Sequence, residues 1–527
     1  MVAIIKRIVP NSKKKTIFAG IAVIILLSFF ILELVVVRRS AVKNRFGDEI
    51  AHVVTGHLLI NRKKIYKETQ NNHQPLVYVF AGATEKLTNP DSFFQLMRRT
   101  REAVFLYSAI WSIVFIYFFG IRVIPFIILF EILKFANLGH MLLGESLAVY
   151  PYIFLIATLT QRLFITDKVS RLRLVFISFS AFLVLFTLLP LWPSVGLILL
   201  NFMWCLRQDV RKTTLLLLPL LILTLVLFTF FSFTDYFRET WLYQEYFFKY
   251  SPKPTTEFHI LRLLFVPFLF PFYLSSVTGK IACAFFIVLL VGLVLFRKNI
   301  QWIKVCVLVI IIMLSNLHTD GLGDGGFHLL PWLGAFTVIP FIFLRKSNIE
   351  LLNSLSKMFL LLTVALIIIT GYQQRYFLIE KRDLWIDYEI NYSDSETYSR
   401  AINILKDKSD RLIAYPNDPV INWITDVPFA TRVIEYYDWI YPIERYNNEI
   451  RNTFIKNPPE FVVDTGLTKN YEIERFVTDQ LNSNYIRINH LNEPSKLYIS
   501  KKRVEQITEE QMLKLSQLSF SINQIEK

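Results

Sequence analysis

Seven of the eight histidines fall before residue 372: His52, His57, His73, His140, His259, His318 and His328. They share that stretch with scattered carboxylates, among them Asp48, Glu49, Glu68, Glu145, Asp320 and Asp324. A carboxylate with apolar neighbours must find a partner or raise its pKa, and either condition suits it to move a proton. Asp48-Glu49 follow Gly47 soon after a long apolar run, and Glu145 lies in Leu142-Leu-Gly-Glu-Ser-Leu-Ala-Val-Tyr-Pro151. These three acids are the candidate catalytic groups. Glu68, Lys63 and Lys64 read as ordinary solvated loop charge. Asp48 and Glu145, helped by histidines, could instead hold a divalent cation such as Mg or Mn, although no HExxH or comparable spacing supports that.

Other chemistries lack their motifs. There is no GxxxxGK[ST] and no GxGxxG after a strand, and Gly321-Leu-Gly-Asp-Gly-Gly326 lies between apolar runs, where it reads as a flexible loop. No nucleic-acid motif is present. Cys205, Cys283 and Cys306 sit in apolar runs as small hydrophobes, without metal-ligand spacing.

The elements that must position these groups are apolar helices. Of 527 residues, 54% are hydrophobic, 15% aromatic and 19% charged, against about 25% charged in a soluble domain. The composition excludes disorder and an ordinary soluble enzyme. Apolar runs occur at 17–37, 103–120, 123–138, 147–164, 173–190, 191–206, 213–232, 258–276, 280–296, 302–317, 327–344 and 352–371. The first follows Lys6, Arg7, Lys13, Lys14 and Lys15 and ends in Arg38-Arg39, which suits an uncleaved signal anchor with a cytoplasmic N-terminus. Lys and Arg cluster near 162–173, 207–212, 297–304 and 345–346, and placing all four clusters in the cytoplasm requires even numbers of spans between them. That condition demotes 258–276, with His259, Arg262, Pro267 and Pro271, to a re-entrant or interfacial segment. The expected architecture is a polytopic α-helical membrane protein of about 11 spans (residues 1–371) in the cell membrane, with a long first outer loop at 38–102. An extracytoplasmic α/β domain follows (372–527). The histidines and acids then gather at the outer face.

The net charge of +15 is uneven. Residues 372–527 carry 20 Lys and Arg against 24 Asp and Glu, so the excess belongs to the membrane part and serves topology. Arg38, Arg39, Lys43 and Arg45 resist this reading, because they follow the first span on the outer side. In the C-terminal domain, Arg411–Pro416 reads as a strand, Asp418-Pro419 as a helix start and Glu460–Asp464 as a second strand. Tyr471–Leu481 has helical spacing, and Tyr485–Ile488 and Leu497–Ser500 are further strands.

Three stretches together resemble a known group. Gly47-Asp-Glu-Ile-Ala-His-Val-Val-Thr-Gly-His-Leu-Leu59, followed by Asn72-His-Gln-Pro-Leu-Val-Tyr78, resembles the first outer loop of GT-C glycosyltransferases, specifically the protein O-mannosyltransferase and aminoarabinose-transferase-like family. Ala136-Asn-Leu-Gly-His-Met-Leu-Leu-Gly-Glu-Ser-Leu147 is similar to that family's second acidic site, and Phe327-His-Leu-Leu-Pro-Trp332 to its late outer motif. Ala414-Tyr-Pro-Asn-Asp-Pro419 and Asn457-Pro-Pro-Glu-Phe-Val-Val463 are similar to the tail of bacterial members. Two departures stand out: Glu145 where the family commonly has Asp, and His73-Gln74-Pro75 where it often has two prolines or a lysine. The resemblance implies transfer of a sugar from a polyprenyl phosphate to a protein, lipid or glycan acceptor, in one inverting displacement. Asp48 would be the base, with Glu49 and Glu145 positioning the acceptor or holding the base. His73, Gln74 and His328 would face the donor phosphate or sugar, with Arg38, Arg39 or Arg45 behind them. Rival expectations are an oligosaccharide ligase or polymerase using a lipid diphosphate and, less well supported by the pattern, a transporter.

Overall fold

The computed structural model describes residues 13–43, 45–166, 168–250, 302–316, 326–343, 384–416, 418–434, 436 and 440–522. The apolar runs fold as helices: α1 Lys13–Ser40, α4 Phe93–Phe119, α5 Ile124–Ala136, α6 Gly144–Phe164, α7 Arg171–Leu185, α8 Trp192–Leu206, α9 Val210–Phe230, α11 Trp302–Met313 and α12 Leu330–Phe343. Hydroxyl and carboxylate caps start several of them. Ser92, Ser170 and Asp209 accept from the backbone N–H groups of Gln95, Arg173 and Lys212, which the helices cannot satisfy internally.

Five segments among the described residues are long and apolar enough to cross a membrane: Gly20–Ser40, Phe93–Phe119, Gly144–Phe164, Leu189–Leu206 and Val210–Phe230. The expected spans 123–138 and 173–190 form helices of 13 and 15 residues, shorter than the roughly 20 a perpendicular crossing needs. The expected segments 258–276, 280–296 and 352–371 lie outside the described residues.

Helix α6 is the axis of this part. It is apolar on all sides and buried from Gly144 to Gln161, which is what a helix enclosed by other helices requires. It packs against α4, α7, α8, α11 and α12. One polar group of side chains interrupts the apolar interior. Lys134 of α5 ion-pairs with Glu131 and lies 3.8 Å from Glu33 of α1. Lys134 also donates to the Tyr150 hydroxyl at 2.6 Å, which donates to Glu131 at 2.5 Å. All four are buried, and their mutual pairing offsets the cost of taking ions from water.

The stretch 38–102, expected as a long first outer loop, contains two helices, α2 Gly47–Ile60 and α3 Pro75–Thr88. They cross at Gly56 and Gly82. A Cβ on Gly56 would meet the Ala81 Cβ at 2.5 Å, and one on Gly82 the Gly56 carbonyl at 2.7 Å, so only glycine permits this approach. After α9 the chain enters α10, Phe233–Tyr250, which the sequence reading did not anticipate.

The C-terminal part begins with α13, Leu384–Leu405. A five-stranded sheet follows, in the order β1-β2-β4-β3-β5: β1 Leu412–Tyr415, β2 Phe461–Asp464, β3 Tyr485–His490, β4 Glu493–Ser500 and β5 Phe520–Ile522. Strands β1 and β2 are parallel, with Leu412 opposite Phe461, and the remaining pairs are antiparallel, with Phe461 opposite Ile499. Helices α14 Val420–Thr425, α15 Glu444–Lys456, α16 Glu472–Asn484 and α17 Glu509–Gln517 complete this part. Leu412 and Val463 face a core with Ile402, Leu405 and Leu515, while Ile413 and Val462 face one with Ile450, Phe454 and Leu481. The period-2 alternation thus covers both sheet faces with helices. The sequence-derived strands and the helix at Tyr471–Leu481 coincide with these elements. Asp418 does not cap α14, since its carboxylate accepts from Ser395 and pairs with Arg45.

Candidate functional site

The C-terminal part rests on the chain between α1 and α4. Asn391 of α13 donates to the Val42 and Lys43 carbonyls at 3.0 Å each. Trp423 donates to Glu85 of α3 at 3.1 Å, and the Gln70 N–H donates to the Arg432 carbonyl. Under this roof, four separate chain segments deliver ionisable groups to one place.

The first is the start of α2. Asp48 and Glu49 occupy its first turn, where the helix dipole favours negative charge. Glu49 is fully buried and its carboxylate is spoken for. Arg101 of α4 grips it with two parallel bonds, Nε to Oε1 at 3.0 Å and Nη2 to Oε2 at 2.5 Å, and the Leu142 N–H donates to Oε1 at 3.0 Å. Arg101 also donates to the Ser40 carbonyl at 2.9 Å. This clamp joins the end of α1 and the starts of α2, α4 and α6. Asp48, in the same turn, is half-buried.

One helical turn on, His52 lies on the Asp48 side of α2. Its Nδ1 is 2.9 Å from the Leu142 carbonyl, which fixes that nitrogen as the donor and makes Nε2 the acceptor, buried and without a hydrogen-bond partner among the described residues. The second segment brings His73, whose ring stands perpendicular to His52 at 4.5 Å between centroids. Burial, assisted by His73, lowers the His52 pKa to about 4 against the Leu142 bond and the charges of Asp48 and Glu145. Burial likewise lowers His73 to about 4, opposed by Glu145 and assisted by His328. Both imidazoles are therefore neutral at pH 7.

The third and fourth segments are the starts of α6 and α12. Glu145, buried in the first turn of α6, holds His328 through Nδ1 at 2.6 Å. His328 reaches it because the preceding chain lies flat on Asn137. A Cβ on Gly326 would meet Asn137 Oδ1 at 2.0 Å. Phe327 packs edge-on against Phe46, which precedes α2, and closes the ring of four segments.

Asp48 and Glu145 both lie within electrostatic reach of His52, and Glu145 and His328 within that of His73. Gln74, the residue before α3, is buried beside them. Its Oε1 accepts from the Tyr236 hydroxyl of α10 at 2.6 Å, and its Nε2 has no hydrogen-bond partner among the described residues. One turn along α10, Glu239 is gripped by Arg432 at 3.0 Å and Arg445 at 3.1 Å, so the C-terminal part anchors the helix that holds Gln74.

The arginines fall elsewhere. Arg38 pairs with Glu102 at 2.8 Å on the exposed face of α1 and α4, with half-buried Arg39 next to it in the last turn of α1. Arg45 turns to the C-terminal part, 2.7 Å from Asp418 and 2.9 Å from the Asn391 carbonyl. Glu49 is a structural ion-pair partner and not an open carboxylate. Among the described residues, no three His, Cys, Asp or Glu side chains converge to hold a metal ion. Asp320, Asp324 and His318 lie outside the described residues.

The chain matches no protein-family model and no curated protein.

Sequence reasoning missed two participants. His52 was one histidine among seven, yet its spacing of four from Asp48 on a helix marks it. Arg101 falls near the end of the expected loop 38–102, and nothing local signals a partner 52 residues away.

Proposed function

We propose that this protein is an integral-membrane glycosyltransferase that moves a sugar from a polyprenyl phosphate to a hydroxyl or amine acceptor. The observation that carries the reading is the meeting of Asp48, the neutral His52 and His73, and the Glu145–His328 pair where apolar helices end under a polar domain. A lipid-linked substrate needs such a boundary, with its chain among apolar helices and its reacting carbon among polar groups. On the topology inferred from loop charge, with about 11 spans and a cytoplasmic N-terminus, this face is extracytoplasmic.

The acceptor oxygen or nitrogen attacks the anomeric carbon as the bond to the phosphate oxygen breaks, inverting the carbon. Asp48 takes the acceptor proton, a contribution of about 10²–10⁴-fold in rate. The leaving phosphate carries away the bonding pair, and His328 with His73 donates hydrogen bonds to it. Glu145 orients His328 through Nδ1 and leaves Nε2 to face the phosphate. A polar cavity of about 500 Å³, lined by Gly47, Ile50, Arg45, Asp418, Thr465 and Lys496, lies at the start of α2 and would offer the acceptor its approach.

Asp48→Asn keeps the shape and removes the base. Sugar transfer by reconstituted Asp48→Asn protein is expected to fall by about 10²-fold or more, and near wild-type transfer would end the role assigned to Asp48.

A further inference from the structure

Three guanidinium groups converge on one carboxylate outside the site. Glu102 of α4 accepts from Arg38 Nε at 2.8 Å, Arg98 Nε at 3.3 Å and Arg99 Nη1 at 3.0 Å. The arginine side chains are 46%, 37% and 48% exposed, while Glu102 is 14% exposed. The shared acid therefore orders the arginines from below and cannot neutralise them. Each guanidinium has five N–H donors, and the geometry leaves most of them pointing outward.

The position of the cluster identifies its surroundings. Arg38 lies in the last turn of the candidate span Gly20–Ser40, and Arg98 and Arg99 in the opening turns of the candidate span Phe93–Phe119, on the side that carries the C-terminal part. Beside it, Phe94 packs edge-on against Trp385 of α13 at 5.5 Å. Trp385, Ile386 and Ile390 expose 43%, 52% and 68% of their surface. A tryptophan and two isoleucines left exposed beside arginines, level with the ends of two apolar helices, match the interfacial zone of a bilayer, where aromatic rings and cations sit at headgroup depth.

We infer that Arg38, Arg98 and Arg99 form a binding site for the phosphate of an anionic phospholipid in the leaflet next to the C-terminal part. Guanidinium forks match phosphate oxygens in geometry as well as charge, and Trp385, Ile386 and Ile390 offer apolar contact to the upper acyl chain. The site rests on reading α1 and α4 as membrane-spanning and is independent of sugar transfer. It also gives Arg38, at the end of the first span, a task that topology does not explain.

The test uses full-length protein purified from vesicles made of equal parts phosphatidylcholine and phosphatidylglycerol, with retained lipid counted by native mass spectrometry. Wild-type protein should retain phosphatidylglycerol in preference to phosphatidylcholine. The Arg38→Gln/Arg98→Gln/Arg99→Gln variant should lose that preference by about tenfold or more, since each interfacial arginine contributes about fivefold to anionic-lipid binding. Glu102→Gln, which keeps the guanidinium groups and removes the competing charge, should bind at least as well as wild type and guards against loss of folding as the explanation. Equal retention of both lipids by wild type, or undiminished phosphatidylglycerol on the triple variant, would overturn the inference. Displacement of phosphatidylglycerol by an equimolar polyprenyl phosphate would give the patch to the donor lipid and overturn its assignment to a phospholipid.

Discussion

Two carboxylates in this protein are buried at helix starts a few residues from each other in space, yet they are built for different work. Glu49 is closed off on all sides by Arg101 and the Leu142 N–H, donors that cannot leave without exposing an unpaired charge. Glu145 is held by His328, a partner that can itself gain or lose a proton. A permanent cation makes the first acid a joint between α1, α2, α4 and α6. A titratable partner makes the second an orienting group within a chemical site. Burial alone would not have separated them, and the identity of the partner does.

The comparison can be broken most forcefully at the joint. Arg101→Ala should destabilise the protein by about 3–5 kcal/mol, because it strands the Glu49 charge in an apolar setting. A melting temperature close to wild type would show that Glu49 is not the structural member of the pair.

A lowering of pH should strain the chemical site. The folded pKa values of His52 and His73 are about 4, against 6.5 for the unfolded side chain. The unfolded chain therefore binds more protons between these values, so stability is full above pH 6.5 and is lost as pH falls toward 4. For the buried His52 the loss amounts to about 3 kcal/mol at most. Melting curves of wild type and His52→Asn across this range should converge at low pH. Parallel curves would contradict a neutral buried His52.

Glu145→Gln should leave the fold intact and slow turnover by roughly 10- to 100-fold, the value of a hydrogen bond to a charged group. Loss of folding comparable to Arg101→Ala would erase the distinction between the two acids. The smallest effect is expected for Tyr236→Phe, which removes the hydroxyl on Gln74 and should cost about 1 kcal/mol, read as weaker donor binding with little change in melting.

The sequence shows the ingredients of the site more clearly than their roles. Asp48 and Glu145 stand out because an acid amid apolar residues is conspicuous, and His328 stands out beside a proline and tryptophan that start a helix. The strands at 412–415 and 461–464 are equally plain, as short β-branched and aromatic runs bounded by turns. What stays hidden is long-range pairing. Glu49 and Asp48 are neighbours in sequence and differ only through Arg101, which arrives from another helix. Arg45 looks like part of a phosphate-facing cluster until Asp418, far along the chain, claims it. The helices α2 and α3 are obscured because 14 residues are too few to read as a span, and their apolar faces, Ile50, Val53 and Val54 against Val77 and Ala81, come together only through the glycine crossing. Glu33, Glu131 and Lys134 pass unnoticed in apolar runs because their mutual neutralisation depends on three helices packing together.

The central claim is that the Asp48–His52–His73–Glu145–His328 site transfers sugar from a polyprenyl monophosphate. The most direct measurement incubates the purified full-length protein with a panel of polyprenyl-phosphate and polyprenyl-diphosphate sugars and candidate acceptors, and identifies the lipid released by mass spectrometry. The account predicts acceptor-dependent release of polyprenyl monophosphate by wild type and its loss in Asp48→Asn. Release of a lipid diphosphate, no release from any donor, or equal release by Asp48→Asn would contradict it.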